Sequence, residues 1–233
     1  MGLLYSLILK TSDTWRSNVS GDINKLNTNF LFETDNEYGF PIVKSSEDFR
    51  ATDLIPFNLC KKKKAEDKDK AVHFFLDDYK FEQVWTSPTK YIKLFEYYGN
   101  ILSPTFSVWD NQPYALNLFN MYRSRWCVRF FQEMGINVLV DVRWSDKKSY
   151  DMCFSGIEKG SPVIVNTVGT KQLVNRKMFV DGFEEMLRRI EPSKLYVYGE
   201  VMPVKFDSYF DEVVYFESFW KKQRDKIIAK NKD

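Results

Sequence analysis

The sequence predicts an α/β fold of parallel strands alternating with helices. They are arranged barrel-like, as an incomplete or distorted β/α barrel, or as an open doubly wound sheet. Three observations predict this class. From Ala71 onward, six short strand-like runs are separated mostly by helical patterns, and parallel neighbours need such crossovers. Ile101–Trp144 reads as a complete strand–helix–strand unit. Polar residues stand at the end of nearly every run, which favours the barrel-like arrangement slightly.

Residues 1–60 are expected to form an irregular N-terminal arm on or beside the core. The apolar run of MGLLYSLILK is too short to span a bilayer and lacks a secretory leader's basic start and cleavage site. Met1-Gly2 with Ser6 meets only the loose myristoylation pattern, so a short amphipathic strand or helix is preferred. Ser12–Asn29 is polar, and Phe30–Val43 mixes aromatics with Asn36, Gly39 and Pro41. DLIPFNL, at 53–59, reads as one more extended piece. Residues 61–70, Lys61 to Lys64 followed by AEDKDK, form a charged surface loop.

The core, 71–220, opens with AVHFFL, a continuous apolar run ended by Asp77 and Asp78, as a strand covered on both faces reads. Ser87 and Pro88 start a helix with Tyr91, Leu94, Phe95 and Tyr98 on its apolar face, and Gly99 ends it. ILSPTFSV is the second strand, which Pro104 interrupts or places near an edge. Asp110 or Asn111 caps the next helix, with Pro113 in its first turn. Ala115, Leu118, Phe119, Tyr122, Trp126 and Phe130 line one face and Leu116, Cys127 and Phe131 the other, so this helix should be covered all round. Gly135 closes it and INVLVDV is the third strand. SPVIVNTVG is the fourth, and Phe179, Phe183, Met186, Leu187 and Ile190 mark a long helix stopped before Pro192. LYVYGEV and EVVYFESF are the fifth and sixth strands, and 221–233 is a basic C-terminal helix or tail.

With 233 residues, 44% hydrophobic and 28% charged, the chain has the make-up of a soluble globular protein able to bury a core. Its 20 Phe, 13 Tyr and 6 Trp imply a core built from planar side chains. A net charge of +2 removes any global electrostatic case for nucleic-acid binding. Cys60, Cys127 and Cys153 are widely spaced with no CxxC or Cys/His ligand spacing, and His73 is the single histidine, so a structural zinc site has few candidate ligands. Reduced, buried thiols in a cytoplasmic protein are the expectation. His73, inside a strand run, is expected to be a satisfied core histidine.

HFFLDDYKFEQVW, SPTFSVWDNQPYALNLFNMYRSRW and GINVLVDVRW carry a resemblance. The chain is similar, from about His73 through Val201, to the family catalogued as domain of unknown function 4417, found in bacteria, phages and plasmids. Its members carry DDY-x-F-x-x-VW, a P-D-F-S motif before an N-x-Y-R-x-R helix, and a G-I-x-V-I-P-x-V-x-W strand. Here Thr105 replaces the aspartate of P-D-F-S, and the proline of that strand pattern is absent. The resemblance implies a mobile-element origin and a cytoplasmic protein, and brings no established activity.

In parallel α/β folds ligands bind beyond the carboxyl ends of the strands. Read there, the candidate catalytic groups are Asp77, Asp78, Asp141 and Glu200; the candidate ligand-binding residues are Ser107, Trp109, Asp110, Arg123, Arg143, Trp144, Asn166 and Thr167. Converging carboxylates would hold a hard divalent metal such as Mg, or supply an acid/base pair. Arg123, Arg125 and Arg143 suit phosphate or carboxylate, and Trp109 and Trp144 suit stacking. Each has a plain alternative. Asp77, Asp78 and Asp110 serve equally as caps, one of Arg123 and Arg125 serves equally as an anchor for its helix, and Trp126 is core. No P-loop, G-x-G-x-x-G or G-x-S-x-G is present.

Two functions follow as expectations. One is binding of a phosphate-bearing ligand, nucleotide or nucleic acid, at the strand C-termini, with metal-dependent hydrolysis as its extension. The other is a non-catalytic phage-type protein that binds a host or phage protein through its aromatic surface. No membrane partner is expected.

Overall fold

The computed structural model describes residues 26–28 and 30–230. The expectations for MGLLYSLILK, most of Ser12–Asn29 and residues 231–233 lie outside them. Seven parallel strands follow one another in chain order: β1 (Leu54–Pro56), β2 (Ala71–His73), β3 (Asn100–Leu102), β4 (Asn137–Asp141), β5 (Val163–Asn166), β6 (Leu195–Tyr198) and β7 (Val213–Phe216). They form a curled half-barrel, so the barrel-like alternative holds over the doubly wound one. The strand beyond the six read in the sequence is β1, from DLIPFNL, which pairs Leu54 with Ala71 and Pro56 with His73.

Helices α1 (Phe57–Cys60), α2 (Glu82–Thr86), α3 (Ile92–Tyr98), α4 (Tyr114–Glu133), α5 (Tyr150–Phe154), α6 (Leu173–Ile190) and α7 (Phe219–Lys230) connect or follow the strands. Right-handed crossovers in an unbroken strand order place the helices on one face. Alternate strand residues therefore enter two separate clusters. Ile55, Val72, Ile101, Val138, Val140, Val163, Val165, Leu195 and Val197 point outward into the helix-covered core with Trp126, Phe130, Phe131 and Phe183. Leu54, Ala71, Leu102, Leu139, Ile164, Tyr196, Tyr198 and Phe216 point inward, with Phe49, and fill the hollow of the sheet.

Pro104 ends β3 after Leu102 although β3 is central, not an edge strand. Proline offers no amide to the ladder. The next ladder position is made by a side chain, the Asp141 amide donating to Ser103 Oγ at 2.7 Å.

Helix α4 is covered less fully than its pattern implies. Its second half, from Met121 to Phe131, is largely buried, and Trp126 donates to the Phe30 carbonyl at 2.7 Å, but Leu116 and Phe119 near its start remain exposed. The helix begins at Tyr114 with Pro113 at the capping position and no side-chain cap, so neither Asp110 nor Asn111 caps it. The intervening Gln112 and Pro113 hold both residues one turn too far back. On α6, Phe179, Phe183, Met186 and Ile190 are buried as their spacing predicts.

The three cysteines are free and buried, and burial pushes the Cys60 and Cys153 thiols up to about 12, so they are inert core groups. No described helix is long and apolar enough to cross a membrane.

Candidate functional site at the strand C-termini

Most of the rim residues are tied into local structure. Asp77 is exposed and pairs with Lys80 at 2.6 Å. Asp78 reaches the neighbouring loop instead, accepting from Ser107 N at 3.0 Å and Ser107 Oγ at 2.9 Å, so these two candidates latch β2's exit to β3's. Asn120 holds the Ser107 carbonyl from α4 at 2.6 Å. Trp109 is half exposed, its backbone clamped by both ends of the Asn117 amide, and Asp110 is fully on the surface.

Two candidates read as ligand contacts are anchors. Arg123 lies 3.6 Å above the Phe106 ring and donates to both Glu82 oxygens, at 2.7 and 2.8 Å, fixing α2 against α4. Trp144 packs against Phe154 and Phe179 and donates to the Met178 carbonyl at 3.2 Å. Its indole sits in a notch kept open by Gly182, where a Cβ would lie 2.1 Å from Nε1.

Asn166 closes its own turn by accepting from Val168 N at 2.8 Å, and Thr167 is buried with its hydroxyl on the Tyr198 carbonyl. Glu200 accepts from the backbone and hydroxyl of Ser218, joining β6's exit to the start of α7, while Glu217 pairs with Lys221. The carboxylates are thus separated by their own partners. Among the described residues no group of three or more His, Cys, Asp or Glu is placed to hold a metal, which corrects the expectation of a converging acidic rim.

Asp141 and Arg143 differ from the rest. Register puts Asp141 level with Ile164, Tyr196 and Val214, on the inward row of the sheet. Its carboxylate is 2% exposed, and Arg143 Nη2 reaches Oδ2 at 3.1 Å while Oδ1 has no partner among the described residues. Burial pushes this carboxyl above its ordinary range; the Arg143 guanidinium, the nearby Thr105 hydroxyl and the charge of Arg125 pull the other way without restoring it. Arg125, fully buried on α4, donates to the carbonyls of Cys153 and Ser155 and leaves Nη1 unpartnered; desolvation lowers it to about 10. Arg143 stays partly open to solvent.

His73 is buried but not satisfied. Its Nδ1 accepts from Phe75 N at 3.2 Å and its Nε2 has no partner among the described residues. It alternates with outward Val72, so it points into the hollow, where its ring lies 5.3 Å from that of Tyr198 on β6. Tyr198 in turn stacks on Phe75 at 4.2 Å. The inward place of His73 follows from strand alternation, but only the curl that brings β2 near β6 exposes the missing partner.

Residues 32–219 match the family described as domain of unknown function (DUF4417). The chain is 34% identical over 227 residues to the Gene 1 protein of Mycobacterium phage L5, covering 94% of this chain and 96% of that protein. To the Gene 1 protein of Mycobacterium phage D29 it is 33% identical over 223 residues, covering 93% and 80%. No solved structure matches the chain. Motifs, family match and full-length phage relatives agree: the chain belongs to the DUF4417 family.

Proposed function

We propose that the protein binds a small phosphate-bearing ligand, of nucleotide type, at the C-terminal mouth of the half-barrel. Asp141 and Arg143 are its polar anchor. The observation that carries this reading is the Asp141 carboxylate, 2% exposed at the end of a central strand with one oxygen unpartnered. A buried ionised oxygen without a donor is costly, and such groups concentrate where a ligand supplies the missing bond. Arg143, paired through one nitrogen and partly open to solvent, has donors left for a phosphate. Asp141 Oδ1 then takes a hydroxyl or amino donor of the same ligand. Binding is the activity proposed; the scattered carboxylates give no support to hydrolysis on a metal they would hold together.

The test is thermal unfolding of the full chain with nucleoside mono-, di- and triphosphates, with and without Mg. Ligand at about 100 times Kd adds about 2.7 kcal/mol, an increase in Tm of roughly 5–10 °C for a chain of this size. Asp141→Asn and Arg143→Gln should abolish that gain. Because burial opposes ionisation of Asp141, the Asn variant should melt no lower than wild type without ligand. A wild type that no nucleotide stabilises would remove the proposal.

The second reading, a protein that binds a host or phage protein, draws on exposed Trp109, Tyr114, Leu116 and Phe119 at and before the start of α4. Charged substitutions at Leu116 and Phe119 that leave a stoichiometric complex from host lysate intact would count against it.

A further inference from the structure

We propose that His73 is the second polar contact of this site: a fixed Nε2–H donor to a neutral acceptor, of the kind a nucleobase carbonyl or ring nitrogen offers, on the part of the ligand remote from Arg143. This rests on the nucleotide reading of Asp141 and Arg143 and narrows it to ligands with a planar, uncharged end.

Three observations support it. The Phe75 amide donates to Nδ1 at 3.2 Å, so the imidazole proton is held on Nε2 and the ring has one free donor. That donor belongs to a residue 1% exposed and has no partner among the described residues. The rings against the imidazole, Phe75 and Tyr198, are both aromatic, and Phe75 is only partly buried, which gives the mouth a flat apolar wall. The charges acting on His73 are Lys222 and Asp53, which pair with each other. Burial and Lys222 lower the imidazole to about 3, so it donates as a neutral group near neutral pH and has no charge to offer a phosphate. A neutral donor suits an uncharged acceptor, and the charged guanidinium of Arg143 suits the phosphate.

The spacing agrees. Val72 pairs with Ile101 and Leu102 with Leu139, which puts His73 level with Leu139, two strands from β4 and two residues short of Asp141. Strand spacing and rise make that about 12 Å between Cα atoms before the sheet curls. A nucleoside spans a gap of this order, with its sugar hydroxyls toward Asp141.

His73 is the only histidine, so its imidazole signals are unambiguous. The experiment follows the 15N and 1H imidazole resonances of the full chain during titration with adenosine and guanosine monophosphates and with inorganic phosphate. In free protein the Nε2–H tautomer should persist from pH 5 to 8. A nucleoside monophosphate should shift the Nε2 resonances, and inorganic phosphate should not. His73→Phe should weaken nucleoside monophosphate binding about tenfold, the worth of one hydrogen bond, with His73→Gln recovering part of it and phosphate binding unchanged. Saturating nucleotide without an Nε2 shift overturns the proposal while the Asp141–Arg143 reading stands, and this wild-type measurement decides even if the variants fail to fold. Wild type that binds neither nucleotide nor phosphate removes both.

Discussion

The two faces of the sheet are built from the same strands and obey different rules. Outward residues on the central strands are aliphatic, mostly β-branched, and seal against helices through Trp126, Phe130, Phe131 and Phe183. Inward residues begin as Leu54, Leu102 and Leu139 and turn polar or aromatic toward the carboxyl ends, with His73, Asp141, Asn166 and Tyr198. Among the described residues, two of the four buried polar side-chain atoms without partners, His73 Nε2 and Asp141 Oδ1, belong to this inward set. The contrast separates what holds the fold from what it has left over for a ligand. The strand residues that face the helices are apolar because an unpartnered polar group is costly to bury there, whereas the strand ends at the mouth of the hollow carry polar groups.

The largest expected effect is on the sealed face. Trp126 is completely buried, packed on Phe130 and Trp85. Trp126→Ala should cost about 3–5 kcal/mol in urea unfolding. If it costs no more than Asp141→Asn, the two faces do not differ as described. A middle-sized effect is expected from acid. His73 falls from its ordinary 6.5 to about 3 in the fold, so the unfolded chain binds the extra proton and stability is lost as pH falls below 6.5. The loss is at most about 1.4 kcal/mol per pH unit, or about 2 kcal/mol at pH 5. His73→Phe should flatten that slope; equal slopes in the two proteins would place the acid sensitivity elsewhere. The smallest effect is expected at Asp110, which is exposed and does not cap α4. Asp110→Ala should change unfolding by less than about 0.5 kcal/mol, and a loss near 1 kcal/mol would restore its capping role.

Much of the fold was readable because it rests on local chemistry. Short β-branched runs, helical spacing and Gly99 at a left-handed helix end place β2 to β7 and α3, α4 and α6. The strand β1 was harder: three residues, Leu54–Pro56, carry too short a pattern to separate a strand from an extended loop until β2 pairs with them. The site was legible in part. Listing strand ends singled out Asp141 and Arg143, but the same rule also named Arg123 and Trp144, whose partners Glu82, Phe106, Phe179 and Gly182 come from distant parts of the chain.

The sequence by itself determined the alternation of strands and helices, the parallel pairing, the sealed aromatic core and the family, because each is written in residue type and spacing along the chain. Tertiary structure alone decided which polar groups find partners. Asp78 met Ser107, Glu200 met Ser218, and Asp141 and His73 each kept one polar atom without a partner among the described residues. Hydrogen-bond satisfaction depends on which side chains the curl of the sheet brings within about 3 Å, and no spacing along one strand encodes that.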